Sequence, residues 1–340
     1  MSVVKKKLSI AYIIFRTREN TGSKVVFNQA TELMKKEHSV KIYTLFGKTA
    51  PWFPKNIQAI SIFKFFFSSS PDVLIATFWP TAYVMLFLPA KKKFHLVQAW
   101  EEDFYTNKIL RTLVRWTYKL PIRKIVISNY LKKRIQKYNK RNLEIYKINV
   151  WSLSSNFISH VKKPSNKNSQ EVKILSVISW YNRAKGPDSL VKAIKHLKNN
   201  HPEFVFTLIS REEKTYSPLI DHFISNPTLE KLAKIYQESD ILLVTSRSEG
   251  FYIPGLEAMA CGCPVITTNS GGILEYAKNN ISAIVLKNLD DLWEKDIIDK
   301  FLKNNQLKKK LISNGYKEAH KYQLYSWDKV ANDLERIFFT

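Results

Sequence analysis

One stretch constrains this chain more than any other: Asp240 to Glu275, which reads D-I-L-L-V-T-S-R-S-E-G-F-Y-I-P-G-L-E-A-M-A-C-G-C-P-V-I-T-T-N-S-G-G-I-L-E. Ile241 to Val244 is a short apolar, partly β-branched run, the pattern of a buried strand. Ser246 to Phe251 is polar, contains Gly250, and reads as the loop at that strand's carboxyl end. Pro254 suits a helix's first turn, where a missing N–H costs nothing, and Leu256 to Cys261 continues the helix until Gly262 and Pro264 stop it. Val265 to Thr268 is a second strand, and Gly271-Gly272 opens a turn before a further helix. Strand, loop, helix and strand in this order form the βαβ grammar of a parallel sheet, whose ligands bind outside the carboxyl ends of the strands. Glu249, Glu257 and Glu275 fall at that edge.

The residue types there define a chemistry. Gly250 to Pro254 would present backbone N–H groups at a helix amino terminus, which attracts anions. Carboxylates flank it at Glu249 and Glu257. Hydroxyl acceptors beside an anion site suit a ligand that carries both sugar hydroxyls and phosphates. The same residues would also make an ordinary surface loop with solvated acids.

The segment E-G-F-Y-I-P-G-L-E resembles the E-x7-E motif of the retaining GT-B glycosyltransferases of the glycosyltransferase 4 family, and A-M-A-C-G-C-P-V-I-T-T-N-S-G-G-I-L-E is similar to that family's next segment. The resemblance implies two doubly wound, Rossmann-like α/β domains facing across a cleft. It implies that Glu249 contacts donor-sugar hydroxyls, that Glu257 holds the nucleotide's ribose, and that Phe251, Tyr252 and Ile253 offer backbone contacts. Lys185-Gly186 matches the family's Lys-Gly, whose Lys binds donor phosphates; it lies after the strand Val172 to Ser179 and before a helix beginning at Asp188. The family's Arg five residues earlier is Trp180 here, so that ligand is either missing or supplied by Arg183. Gly22, before the first helix, stands for half of the family's Gly-Gly loop, and a plain turn glycine is the other reading. A His-Asp pair that many members carry is absent; Trp100, Glu101 and Asp103 are the candidates to replace it, and the sequence does not choose among them.

Length and charge set the frame. The chain has 340 residues, enough for two domains. The expected division is 1–165 and 166–325, with a polar linker at Ser165 to Gln170 and a terminal helix, capped at Ser326, packing back on the first domain. No apolar run spans a bilayer and no signal-peptide core is visible, so the expected location is cytoplasmic, either free or peripheral on the membrane's inner face. The C-x-C pair Cys261 and Cys263 has no metal or redox partner nearby and reads as core thiols. Net charge is +25, and residues 1–165 carry 30 basic against 8 acidic residues, or +22 of it. That asymmetry points to an anionic partner: a membrane, nucleic acid or a polyanionic acceptor. Tyr105 to Lys147 is the most basic segment, and Ile109 to Leu120 interleaves apolar with basic residues, the pattern of a membrane-surface helix or of a core helix with a solvated basic face. Phe63 to Phe67 reads as a buried strand end or a membrane-facing tip.

The functional expectation is transfer of a hexosyl group from a nucleotide sugar, UDP- or GDP-linked, to a hydroxyl of a glycan or lipid-linked acceptor, with configuration retained. No D-x-D motif sits at a strand end, and the family generally needs no metal, so no cofactor is expected. Two other classes fit less of the sequence. A nucleic-acid-binding protein would use the basic half, but no zinc-finger, RRM or KH signature accompanies it. An inactive sugar-nucleotide-binding scaffold would keep the site without turnover.

Overall fold

The computed structural model describes residues 6–17, 19–139, 143–150, 153–157, 171–211, 218–294 and 296–340. The chain divides into two compact units, Met1–Trp151 with Tyr325–Thr340, and Ser152–Leu324. The change of unit thus falls ahead of the expected 165/166, and the linker read at Ser165 to Gln170 lies outside the described residues. The reason is local. Ser155–Phe157 forms a short 3-10 turn whose Phe157 is buried against Tyr236, ring centroids 6.2 Å apart, and whose Phe157 carbonyl accepts from Cys261 Sγ at 3.6 Å.

The first unit is a seven-stranded, all-parallel sheet. Its strands are β1 (Ser9–Arg16), β2 (Ser39–Phe46), β3 (Ala59–Ser61), β4 (Val73–Ala76), β5 (Lys92–Val97), β6 (Arg123–Val126) and β7 (Ile145–Lys147), in the order β3-β2-β1-β4-β5-β6-β7. The central strands are apolar on both sides, as a sheet covered by helices on both faces requires; all four residues of β4 are buried. Strand alternation divides the faces. Ala11, Ile13, Tyr43, Leu74 and Ala76 form one core with Ile62, Phe65, Ala82 and Met85, which belong to the 3-10 helix Ile62–Phe67 and to α2 (Trp79–Leu86). Tyr12, one residue out of phase, turns to the other face and donates to Gln29 of α1 (Thr21–Lys35) at 3.2 Å. The helix Trp327–Phe339 packs on this unit. Asp328 pairs with Lys36 at 2.6 Å, Phe338 lies on Phe94 at 5.5 Å, and buried Glu335 meets His38 Nε2 at 2.9 Å. Because His38 Nδ1 accepts the Leu8 N–H, the imidazole hydrogen sits on Nε2 and points to Glu335.

Two local expectations are corrected here. Gly22 does not precede the first helix: the helix is capped by Asn20, which accepts from the Ser23 N–H at 2.8 Å, and begins at Thr21, so Gly22 lies in its first turn. The basic helix α3 (Lys108–Thr117) buries Val114 and commits two of its cations to a buried acid: Arg111 and Arg115 both grip the carboxylate of Glu102, at 2.9 and 2.6 Å. Lys124, on β6, is fully buried, donates to the Thr117 carbonyl at 3.0 Å, and is pushed down to about 7 by burial. Within the basic segment, Lys124 is therefore interior, and Arg111 and Arg115 are offset by Glu102. α4 (Asn129–Tyr138) comes after β6, with Ser128 as its cap.

The second unit is a six-stranded parallel sheet of β8 (Val172–Val177), β9 (Phe204–Ile209), β10 (His222–Ile224), β11 (Ile241–Val244), β12 (Val265–Thr268) and β13 (Ile284–Leu286), ordered β10-β9-β8-β11-β12-β13. The order reverses direction between β8 and β11, so a crevice opens at their carboxyl ends. Three helices frame it: α5 (Pro187–Asn200), α6 (Leu229–Glu238) and α7 (Ile253–Ala260). The predicted strands at 241–244 and 265–268 are found at those bounds, and α7 starts at Ile253 with Pro254 in its first turn, as expected.

Candidate functional site

The loops leaving β8 and β11 are sewn together at the switch point. The N–H groups of Arg247 and Ser248 both donate to the Ala184 carbonyl, at 2.8 and 3.2 Å, and Thr245 Oγ1 donates to the Gly186 carbonyl at 3.2 Å. Gly186 has φ +65°, and a Cβ there would stand 2.3 Å from the Thr245 carbonyl oxygen, so only glycine fits this crossing. The exposed side chain of Arg247 adds an ion pair to Asp188 in the first turn of α5.

This stitching brings Lys185 to Glu249. Lys185 Nζ lies 2.7 Å from Glu249 Oε2, and the carboxylate side chain is only 3% exposed. The backbone of Glu249 is fixed by the third loop: its N–H donates to Ser270 at 2.7 Å, and its carbonyl accepts from Gly272 at 2.8 Å. Gly272 has no room for a side chain, since a Cβ would fall 1.9 Å from the Gly250 carbonyl oxygen. Three loops from adjacent strand ends therefore hold one carboxylate in place. Its second oxygen, Glu249 Oε1, is buried and has no hydrogen-bond partner, and the same is true of Ser246 Oγ and Ser270 Oγ. A buried unpartnered acceptor costs free energy, roughly 1–3 kcal/mol, that a hydroxyl donor from a ligand would recover.

The turn into α7 is built around Tyr252. It adopts a left-handed conformation, φ +67°, rare for a non-glycine residue. Its hydroxyl donates to the Val177 carbonyl at 2.9 Å, and its own carbonyl accepts from the Tyr276 hydroxyl and, at 3.2 Å, from the Gly255 N–H. Gly255 is the residue that admits Tyr276: a Cβ there would lie 2.3 Å from the tyrosine oxygen. Phe251 turns its ring inward against Tyr276 and Tyr322, at 5.4 and 5.3 Å. Ile253 and Pro254 open α7. Lys185 Nζ stands 5.6 Å from the Tyr252 ring centroid, so the cation, Glu249 and the start of α7 share one neighbourhood.

Glu257 lies one turn into α7. Its Oε2 accepts from the hydroxyl of fully buried Tyr236 on α6 at 3.0 Å. Burial pushes its carboxyl up to about 7, against the downward pull of that hydrogen bond. Sequence reasoning missed Tyr236, Tyr276, Ser246, Ser270 and Arg247. The signal within reach was Gly255, because a glycine inside a helix's first turn marks a close approach.

The remaining expected residues are divided between the two units. Arg183 is exposed in the 3-10 turn Arg183–Lys185, on the same loop as Lys185. Trp180 packs its ring against the core of the second sheet, so its apolar surface serves packing. In the first unit, Gly22 offers its carbonyl to Gln98 Nε2 at 3.2 Å. Of the three candidates for the missing His-Asp pair, Trp100 is corrected to a core residue. It is 1% exposed, with Tyr118 stacked on it at 4.2 Å and the Arg134 guanidinium 4.3 Å from the ring centroid. Asp103 is paired with Arg134 at 3.2 Å. Glu101 is buried, accepts the Trp79 N–H at the start of α2 at 2.8 Å, and is pushed by burial up to about 8. His95 is fully buried in β5.

Residues 158–318 match the family model described as Glycosyl transferases group 1. An uncharacterized glycosyltransferase of Methanocaldococcus jannaschii is 30% identical over 166 residues, 45% of this chain and 44% of that protein. A D-inositol 3-phosphate glycosyltransferase of Corynebacterium jeikeium is 24% identical over 184 residues, 49% of this chain and 43% of that protein. The chain thus spans less than half the length of these curated relatives. Among solved structures, sucrose-phosphate synthase from Thermosynechococcus elongatus superposes with a TM-score of 0.75 at 17% identity, covering 97% of this chain and 98% of that one. Anabaena HepE, in complex with UDP-glucose, gives 0.72 at 12% identity, covering 98% and 100%. These likenesses establish the GT-B fold, two Rossmann-like α/β units. Residues 158–318, just under half of the chain, thus match the group 1 glycosyltransferases.

Proposed function

We propose that this chain is a hexosyltransferase. It moves a hexosyl group from a nucleotide sugar to a hydroxyl of a glycan or lipid-linked acceptor, retaining the anomeric configuration and using no metal ion. The observation that carries the reading is Glu249: a buried carboxylate with one oxygen on Lys185 and the other without a partner, at the switch point of a doubly wound sheet. In this reading Glu249 Oε1 accepts a hydroxyl of the donor sugar. Lys185, with Arg183 on the same loop, meets the diphosphate, whose charge grows as the glycosidic bond breaks. Fixed charge aimed at a developing anion is the main catalytic need of such a reaction. The N–H groups of Gly250, Phe251, Tyr252 and Ile253 at the start of α7 add to it. Glu257, oriented by Tyr236, takes the ribose hydroxyls. The UDP and sugar ligands named for the HepE and pneumococcal GtfA structures favour a UDP-sugar as donor, with a GDP-sugar as the other candidate.

The test is a thermal-shift panel of UDP-, GDP- and dTDP-sugars, since a ligand that binds only the native state raises the melting temperature. One nucleotide is expected to stand out, and Glu257→Gln is expected to weaken its binding by about 1–3 kcal/mol. The pH dependence follows from the raised carboxyl. Its contribution to stability is full below about 4.5 and is lost as pH rises through about 7. Ribose hydroxyls bind the charged form best, so nucleotide affinity runs the opposite way. It should rise up to about tenfold between pH 6 and 8 in the wild type and stay flat in Glu257→Gln. No shift with any nucleotide would overturn the reading; equal affinity and equal pH slope in the variant would remove Glu257 from it.

A further inference from the structure

The first unit's exposed large apolar side chains are concentrated on one layer. The 3-10 helix Ile62–Phe67 has three residues per turn, so Ile62 and Phe65 form one stripe and Phe63 and Phe66 the next. The first stripe is buried in the core it shares with α2. The second stands in solvent: Phe63 is 74% exposed and Phe66 66%, while Phe67 beyond it is 92% exposed. Phe87, ending α2, is 82% exposed beside Leu86, and α3, joined to α2 by the Tyr83 hydroxyl on the Leu113 carbonyl at 2.7 Å, exposes Ile109 and Trp116. These three elements succeed one another on a single side of the sheet, opposite α1. The sequence pattern offers such a surface at Ile109 to Leu120 and, as one of two readings, at Phe63 to Phe67. The structure puts its apolar centre at the phenylalanines, because α3 buries Val114 and pairs Arg111 and Arg115 with Glu102.

The charge on this layer is one-sided. Lys64 lies exposed within the phenylalanine run, and Lys108 and Lys119 are exposed at the two ends of α3. The acids between residues 62 and 120 are Asp72, Glu101, Glu102 and Asp103. Glu101 and Glu102 are buried, Asp72 is paired with Lys91 at 2.7 Å, and Asp103 with Arg134. Protein interfaces gather aromatics but deplete lysine at their centre. Aromatic rings set among lysines, with no opposing acid, instead match the boundary of an anionic bilayer, where the rings enter the acyl edge and the ammonium groups meet the headgroups.

From this we infer that the layer formed by Ile62–Phe67, α2 and α3 is a membrane-docking surface, seated on anionic lipid through Phe63, Phe66, Phe67 and Phe87. It rests on the reading of a lipid-linked acceptor only for its purpose; docking itself requires neither donor nor turnover. The test is co-sedimentation of the full chain, without nucleotide, with phosphatidylcholine vesicles and with vesicles half phosphatidylglycerol. Binding to the anionic vesicles alone is expected, weakening as salt rises. Substituting Phe66, Phe67 and Phe87 by Ser together should cut that binding about tenfold or more even at low salt, while nucleotide-induced thermal shifts stay as in the wild type. Should that variant fold poorly, brominated lipid should quench wild-type tryptophan fluorescence, and Trp116→Phe should remove part of the quench. Binding to neither vesicle, equal binding to both, or no dependence on the phenylalanines and no quenching would overturn the inference. So would a concentration-dependent oligomer that the triple variant dissolves without any vesicle binding, which would assign the face to a second copy of the chain.

Discussion

Lys185→Ala is expected to lower kcat by about 10²- to 10³-fold, of order 3 kcal/mol, with a smaller change in KM. That is the cost typical of removing one donor aimed at developing charge. The same substitution strips the partner from a carboxylate that is 3% exposed. An unpaired buried charge costs about 3–5 kcal/mol, so the variant should also unfold at lower temperature. The two effects separate in the double variant Lys185→Ala/Glu249→Gln, which removes the stranded charge and should recover much of the stability but none of the turnover. Steady-state kinetics and thermal unfolding on the three proteins check this. If only KM moved, Lys185 would belong to ground-state binding and Arg183 would become the better catalytic candidate.

Gly272→Ala is expected to damage the site from outside it. The added methyl would meet three backbone atoms, the Gly250 oxygen at 1.9 Å, its carbon at 2.2 Å and the Glu249 oxygen at 2.7 Å. None of these is the free end of a flexible side chain, so the loops carrying Glu249 and Gly272 must part. A stability loss of about 3 kcal/mol or more is expected, at or above the upper end of ordinary overpacking, together with loss of nucleotide binding. Gly22→Ala is the control: its new Cβ would meet only the side chains of Asn20 and Gln98, at 3.3 Å, and stability should change little. Thermal unfolding of both variants, with and without nucleotide, measures the difference. A Gly272→Ala protein as stable and as responsive as the wild type would mean that the three-loop clamp does not position Glu249.

The second unit is legible in the sequence because its information there is local. A four-residue apolar strand, a glycine-containing loop, a proline-started helix and another strand lie within Asp240 to Glu275, and the spacing Glu249 to Glu257 carries over unchanged. The features that stay hidden depend on contacts between distant residues. The partners of Glu249 come from the β8 loop, 64 residues away, and from Ser270 and Gly272. Tyr236, which orients Glu257, lies on a different helix. In the first unit, the basic pattern of α3 resembles a solvent or membrane face because the acid that absorbs Arg111 and Arg115 precedes the helix, on the turn Glu101–Phe104. Trp100 has the place of a cleft residue, just after a strand, but its large ring finds Tyr118 and Arg134 and is buried between them. Gly22 falls inside α1 for a simpler reason: Asn20 satisfies the orphan N–H of Ser23, so the helix begins at Thr21.

The central claim is that the Lys185–Glu249–Glu257 site transfers a hexosyl group with retention. Proton NMR of the sugar released from, or transferred out of, the nucleotide sugar that stabilises the protein most tests it directly. The first-formed product should carry the anomeric configuration of the donor, before mutarotation, and Lys185→Ala should slow its appearance by about 10²-fold or more. A first-formed product of inverted configuration, or undiminished turnover in the variant, would contradict the account.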